Sequence, residues 1–205
     1  MANLYSSLVV CSLFVVLTGC SRGPSRVQPP DIDSEAAAEQ AMSLYDKNQN
    51  GSLNKTELVA CPGMLAQIKE YDKDSNGEIT TVEISDRLSS LFKARVGLTA
   101  LMCEIRVNGK PLSNAEVVFD PEPYLGNDMK KAVGTTDSSG NAEMGVAEED
   151  LPRDLEGVKA IQFGTFKVRV THPSVSIPAK YNSETMLGYE TISGSPFAKF
   201  ALKIP

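Results

Sequence analysis

YDKNQNGSLNKTEL, from Tyr45 to Leu58, returns as YDKDSNGEITTVEI from Tyr71 to Ile84, a period of 26 residues (45 to 71). An internal repeat of this length marks one supersecondary unit used twice. Within each copy, oxygen-bearing side chains alternate and then meet a glycine: Asp46, Asn48, Asn50 and Gly51 in the first, Asp72, Asp74, Asn76 and Gly77 in the second. An aliphatic residue follows, Leu53 or Ile79, and a glutamate closes the copy, Glu57 or Glu83.

This spacing resembles the EF-hand loop, which carries oxygen ligands at positions 1, 3 and 5, Gly at 6, an aliphatic at 8 and Glu at 12. The chemistry asks for these types. Calcium is a hard cation that takes about six to eight oxygens, so short Asp and Asn side chains converge from alternate positions and Glu closes the shell with both oxygens. The glycine permits a sharp turn in which a β-carbon would be strained. The first ligand set is then Asp46, Asn48, Asn50, the Ser52 carbonyl, Asn54 and Glu57; the second is Asp72, Asp74, Asn76, the Glu78 carbonyl, Thr80 and Glu83. Two calcium ions are expected. The first set offers two carboxylates and the second three, so the second loop is expected to bind more tightly. The resemblance further implies that Leu53 and Ile79 pair in a short two-stranded bridge. The competing reading is a pair of Asn- and Gly-rich turns that never meet metal.

The flanks read as helices. Asp33 or Ser34 can cap a helix running through Tyr45, and Ile84, Leu88, Leu91 and Phe92 form one apolar stripe after the second loop. Between the loops, Pro62 and Gly63 interrupt the segment from Leu58 to Tyr71, so the inner helices must be short. Short inner helices limit the Met-lined groove that opens in calcium sensors, which favours constitutive, structural calcium. Met42 and Met64 read as core.

From Thr99 the apolar period changes to two. In TALMCEIRV, Leu101, Cys103, Ile105 and Val107 alternate with other residues, and Asn108-Gly109 marks a tight turn. Further strands are expected over Ala115 to Pro121, Lys131 to Asp137, Asn141 to Val146, Thr165 to His172, near Tyr189, and over Phe197 to Ile204. About seven short strands joined by turns predict an antiparallel sandwich. VNGKPLSNAEVVF, VGTTDSSGNAEM and GTFKVRVTH resemble the carboxypeptidase regulatory-like, or transthyretin-like, domains of bacterial envelope proteins, with Phe166 where that family usually has Tyr. The resemblance spans residues 99–205 and implies a non-catalytic module used for stability, spacing or binding.

The amino terminus reads as an address. LVVCSLFVVL (residues 8–17) is too short to cross a bilayer of roughly 30 Å but suits a signal-peptide core. It ends in Leu17-Thr18-Gly19-Cys20, which resembles the lipobox of bacterial lipoproteins, although no Lys or Arg precedes the apolar run. The resemblance implies a signal peptide over 1–19, acylation of Cys20, and anchoring by several chains where one would not suffice. A tether is expected over 20–33.

Among 205 residues, 41% are apolar and the formal charge is −6, a globular composition that speaks against nucleic acid, whose phosphates need clustered Lys and Arg. Only Cys61 and Cys103 follow Cys20. Either a disulfide joins them, which needs α-carbons within about 7 Å, or they are two separate buried thiols.

His172 is the only histidine, which rules out a His-ligated zinc triad and leaves one ring for any Ser-His-Asp arrangement. It reads as a surface residue at a strand end. Glu148, Glu149 and Asp150 read as a solvated loop before a carboxylate pair for glycoside cleavage. No catalytic residue is therefore expected. The expectation is an α+β, multidomain chain: a small helical EF-hand pair over 34–95 and an antiparallel all-β sandwich, prealbumin- or immunoglobulin-like, over 99–205. Its expected role is a non-catalytic, calcium-loaded structural or binding module of the bacterial cell envelope. Its expected partners are the membrane, through acylated Cys20, and an envelope protein or glycan. A calcium-responsive regulator and an envelope hydrolase are the rival readings.

Overall fold

The computed structural model describes residues 27–93, 97–192 and 198–205. The expected signal peptide and Cys20 lie outside the described residues. Among those described, no helix is long and apolar enough to cross a membrane.

The chain is α+β. Helix α1 (Ser34–Tyr45) begins where Asp33 accepts hydrogen bonds from the backbone N–H groups of Glu35 and Ala36, at 3.0 and 3.1 Å. Ala37, Ala38, Ala41 and Tyr45 form its buried side, and the three alanines are small enough to let it lie close against helix α4 (Thr81–Phe92). Helix α4 begins with a reciprocal cap: the Thr80 hydroxyl accepts from the Glu83 N–H, and the Glu83 carboxylate accepts from the Thr80 N–H at 2.9 Å. Ile84, Leu88 and Leu91 are its buried stripe. Between these helices lie strand β1 (Ser52–Asn54), a 3-10 turn over Glu57–Ala60, the one-turn helices α2 (Pro62–Leu65) and α3 (Ile68–Tyr71), and strand β2 (Glu78–Thr80). Strands β1 and β2 pair antiparallel with Leu53 opposite Ile79, both fully buried.

The rest of the described chain is built on strands joined by loops and short 3-10 turns. A short pair joins β3 (Leu98–Thr99) to β10 (Ile161–Gln162). A five-stranded antiparallel sheet runs in the order β12 (Gly188–Thr191), β11 (Gly164–Thr171), β6 (Glu116–Pro121), β7 (Ala132–Thr135) and β9 (Gly145–Val146). A second sheet is built on β4 (Leu101–Val107), which pairs with β5 (Lys110–Pro111), β8 (Asn141–Glu143) and β13 (Ala198–Ile204). The Asn108-Gly109 turn joins β4 to β5 with both residues at positive φ, 50° and 75°.

Two features differ from the expected pattern. Strand β13 runs parallel to β4, with Phe200 opposite Cys103. Its chain neighbour β12 belongs to the other sheet, so no hairpin sets the direction of β13. Residues 27–33, expected as free tether, are docked: the Gly97 N–H donates to the Val27 carbonyl at 2.7 Å, and Ile32 packs on the core.

The core runs through both halves. Phe119 is edge-on to Phe166, Tyr189 and Phe200, with ring centroids 5.6 to 6.0 Å apart, which brings side chains of the two larger sheets together. Helix α2 lies on β11 and β12 at backbone distance. A β-carbon on Gly63 would come within 3.0 Å of the Phe166 nitrogen, and one on Gly188 would collide with the Pro62 carbonyl.

Candidate metal centre

Each loop is held by its own acceptors. In the first, Asp46 ends α1, its N–H donating to the Met42 carbonyl at 2.9 Å, and its carboxylate accepts from the N–H groups of Asn50 and Gly51 at 3.3 and 3.0 Å. The Asn48 side-chain oxygen accepts from Asn50 N–H at 2.9 Å, that of Asn50 from Ser52 N–H at 3.0 Å, and that of Asn54 from Thr56 N–H at 2.9 Å. Glu57 reaches back over the loop, accepting from Lys47 N–H and Asn54 N–H, both at 3.0 Å.

The second loop repeats this scheme. The Asp72 carboxylate accepts from Asn76 and Gly77 N–H at 3.0 and 2.9 Å, Asp74 accepts from Asn76 N–H at 3.1 Å, and Asn76 accepts from Glu78 N–H at 2.7 Å. Glu83 accepts from Lys73 N–H at 2.9 Å and from the Thr80 hydroxyl at 2.8 Å. Partial burial pushes the Glu83 carboxyl up, but the donors of Thr80, Lys73 and Asp74 more than offset it, and the net shift is below the usual carboxylate value.

The backbones match as well. Gly51 and Gly77 sit at φ 84° and 88°, and Gln49 and Ser75 at φ 59° and 60°. A β-carbon at either glycine would meet nothing within 4 Å, so glycine is required there by the backbone angle and not by space. The Ser52 hydroxyl bridges the loops by hydrogen-bonding to the Glu78 carboxylate.

Carboxylate oxygens of Asp72, Asp74 and Glu83 lie within 4.8 Å of one another. Three like charges that close repel unless protons or a cation intervene. All the side-chain donors in both loops are oxygens, with no His or Cys among them, a set that suits a hard dication. In the first loop, Asn48 stands where the second has Asp74, so Asp46 and Glu57 are its carboxylates.

Beneath the loops lies a buried polar layer. Tyr45, the residue before Asp46, donates its hydroxyl proton to Glu122 at 3.2 Å. Glu122 is fully buried, and its other oxygen accepts from Gly63 N–H at 3.0 Å, while the Lys167 ammonium stands 3.6 Å away. Burial raises the Glu122 carboxyl, opposed by Lys167 and these donors. Tyr71, the residue before Asp72, is fully buried and faces Glu190 and Tyr124, and its hydroxyl has no hydrogen-bond partner among the described residues. Arg87 of α4 pairs with buried Glu190, its Nε at 3.1 Å, and lies 3.7 Å from Glu70. No local motif marks Glu122, Glu190 or Arg87, because their partners lie far along the chain. The one visible sign was the tyrosine that opens each copy of the repeat.

The remaining candidates separate. Cys61 and Cys103 are both buried and free, so no disulfide joins them. Cys61 sits below the loops beside Glu122, and Cys103 faces inward on β4. Burial pushes both thiols up, which leaves them protonated and poor nucleophiles. His172 is partly buried and fully engaged: Nε2 lies 2.9 Å from the Ser113 carbonyl, while Nδ1 accepts from Ser174 and Val175 N–H at 3.0 and 2.8 Å. Those bonds place the proton on Nε2 and pin the turn after β11. Glu148, Glu149 and Asp150 form an exposed 3-10 turn.

No known protein-family profile matches the chain, and no curated protein matches it. Among solved structures, the TIE protein of Bacillus anthracis is similar over 53% of this chain and 16% of that one, at 17% identity and a TM-score of 0.35. A 9R-lipoxygenase from Cyanothece PCC8801 is similar over 74% of this chain and 24% of that one, at 17% identity and a TM-score of 0.30. This chain thus spans less than a quarter of either protein, and likenesses so slight transfer no fold or function to it.

Proposed function

We propose that the chain is a calcium-binding structural protein, in which an EF-hand pair holds two ions and steadies a non-catalytic β-sandwich of the carboxypeptidase regulatory-like kind. The convergence of Asp72, Asp74 and Glu83 within 4.8 Å carries the reading. The repeated backbone of the first loop extends it to Asp46, Asn48, Asn50, Asn54 and Glu57. Bound calcium would neutralise the crowded carboxylates and tie both ends of each loop to its middle. Leu53 and Ile79, paired and buried, would couple the two loops.

A sensor that opens an apolar groove would have to swing its inner helices outward. Here α2 lies on the strands at a distance only glycine tolerates, so the structural role is favoured over the regulatory one. The hydrolase reading has little to draw on, since both nitrogens of the single histidine are engaged and both described thiols are buried. The Leu17-Thr18-Gly19-Cys20 motif adds an anchor: we assign Cys20 as the acylated residue of an envelope lipoprotein, whose partner is an envelope protein or glycan.

Melting tests the calcium reading. An ion that binds only the folded form stabilises it by mass action, about 2.7 kcal/mol at a concentration a hundred times Kd. Calcium should raise the melting temperature and EGTA should return it; equal melting in both refutes the reading. Labelled palmitate should enter the full chain made in bacteria and fail to enter Cys20→Ala; equal labelling of the two removes the anchor.

A further inference from the structure

Each ion loop is joined to the strand half by its own buried carboxylate. On the first side, Tyr45 and Asp46 are consecutive: Tyr45 ends on Glu122, and Glu122 also holds the Gly63 N–H of α2 and faces Lys167 of β11. On the second side, Glu83 and Arg87 lie one turn apart on α4, and Arg87 forks onto Glu190 of β12. Tyr71, next to Asp72, is buried against the same Glu190. The two halves also meet through backbone, at Gly63 over β11 and at Gly188 against Pro62. Near the first loop, the Tyr45 ring stands edge-on to Tyr124, at 6.4 Å.

Both carboxylates are fully shielded from water, and a buried charge is tolerated only while its partners stay in place. One partner of each stands close to a residue that calcium would hold still: Tyr45 precedes Asp46, and Arg87 lies one turn after Glu83 on α4. Without the ion, repulsion among Asp72, Asp74 and Glu83 favours a splayed second loop, which draws on Tyr71 and Arg87. Loosening the loops therefore exposes or unpairs Glu122 and Glu190.

We infer that calcium occupancy of the loops is thermodynamically coupled to the order of strands β11 and β12 through Tyr45–Glu122 and Arg87–Glu190. The inference rests on the calcium reading above and adds a route by which the ion acts on the strand half. Coupling is reciprocal, so weakening either tie must also weaken calcium binding.

Hydrogen exchange on the full chain, in saturating calcium chloride and in EGTA, tests it. Amides of Gly164–Thr171 and Gly188–Thr191 should exchange about tenfold or more slowly with calcium, because opening free energy sets exchange. The E122Q/R87K double variant keeps hydrogen-bonding groups in both places and is built to retain the fold. In it the calcium-dependent slowing of β11 and β12 should shrink, and calcium affinity should fall about three- to tenfold. G188A, which breaks the close approach to Pro62, should do the same more severely. If calcium binds and slows exchange in α1 and α4 while β11 and β12 are unchanged, the coupling is wrong and the calcium reading survives. If titration shows no calcium binding at all, the calcium reading itself fails.

Discussion

The two loops share one backbone and differ in charge. Gly51 and Gly77 differ by 4° in φ, Gln49 and Ser75 by 1°, and the glutamates close the loops through equivalent bonds to Lys47 and Lys73. Yet the second gathers three carboxylates and the first has two. Turn chemistry sets the shape of such a loop, and the number of negative charges sets how strongly it holds a dication. A loop can thus keep its form while its affinity is tuned by a single amide-for-carboxylate exchange.

The largest expected effect comes from removing the lead carboxylate. Asp72→Ala should weaken the tighter site about a hundredfold, some 2.8 kcal/mol, and Asp46→Ala should cost the weaker site less, as read by isothermal titration. Equal or reversed losses break the proposed ranking. An exchange of the two residues, Asn48→Asp paired with Asp74→Asn, should invert the order of the two sites, with a change of about tenfold at each. An unchanged order would mean that charge count does not set the affinity.

Shape is the next target. Gly51→Ala and Gly77→Ala each place a β-carbon in the left-handed region, at an expected cost of about 1–2 kcal/mol in chemical denaturation measured with EGTA. Because the surrounding space is open, the two costs should match. Markedly different costs would show that the loops do not share a backbone.

These loops were legible because their chemistry is local: every proposed ligand falls within twelve residues, and the spacing itself is the signal. The Asp33 cap of α1 and the Ile84, Leu88, Leu91 stripe of α4 are equally short-range, and so is the alternation in β4 and β11. What joins distant segments was not legible. The parallel direction of β13, the seating of α2 against Gly188, and the Arg87–Glu190 pair all depend on residues brought together only by the fold. Glu122 illustrates the limit. In the string DPEPYL it looks like a loop acid, whereas the structure buries it under Tyr45 and Gly63. Alternation likewise located Cys103 on an inward face, but it could not decide whether Cys61 would come near it.

The smallest expected effect is a pH dependence at the first loop's tie. Burial raises the Glu122 carboxyl above its unfolded value near 4.3, with Lys167, Gly63, Tyr45 and Cys61 pulling the other way. A raised acid favours the folded state fully below the unfolded value, and that benefit is lost as pH rises through the folded value. In EGTA, the stability of the wild type relative to Glu122→Gln should therefore decline from pH 4 towards pH 7. A relative stability that grows with pH would mean that the partners of Glu122 outweigh its desolvation.

In the proposed function, two loops of one repeat each hold a calcium ion. Counting calcium ions per chain by isothermal titration, for the wild type and for Glu57→Gln/Glu83→Gln, addresses it most directly. The wild type should take up two ions, and the double variant, which lacks the closing glutamate of each loop, should lose tight binding. A wild type that takes up no calcium, or a double variant that binds as the wild type does, would contradict it.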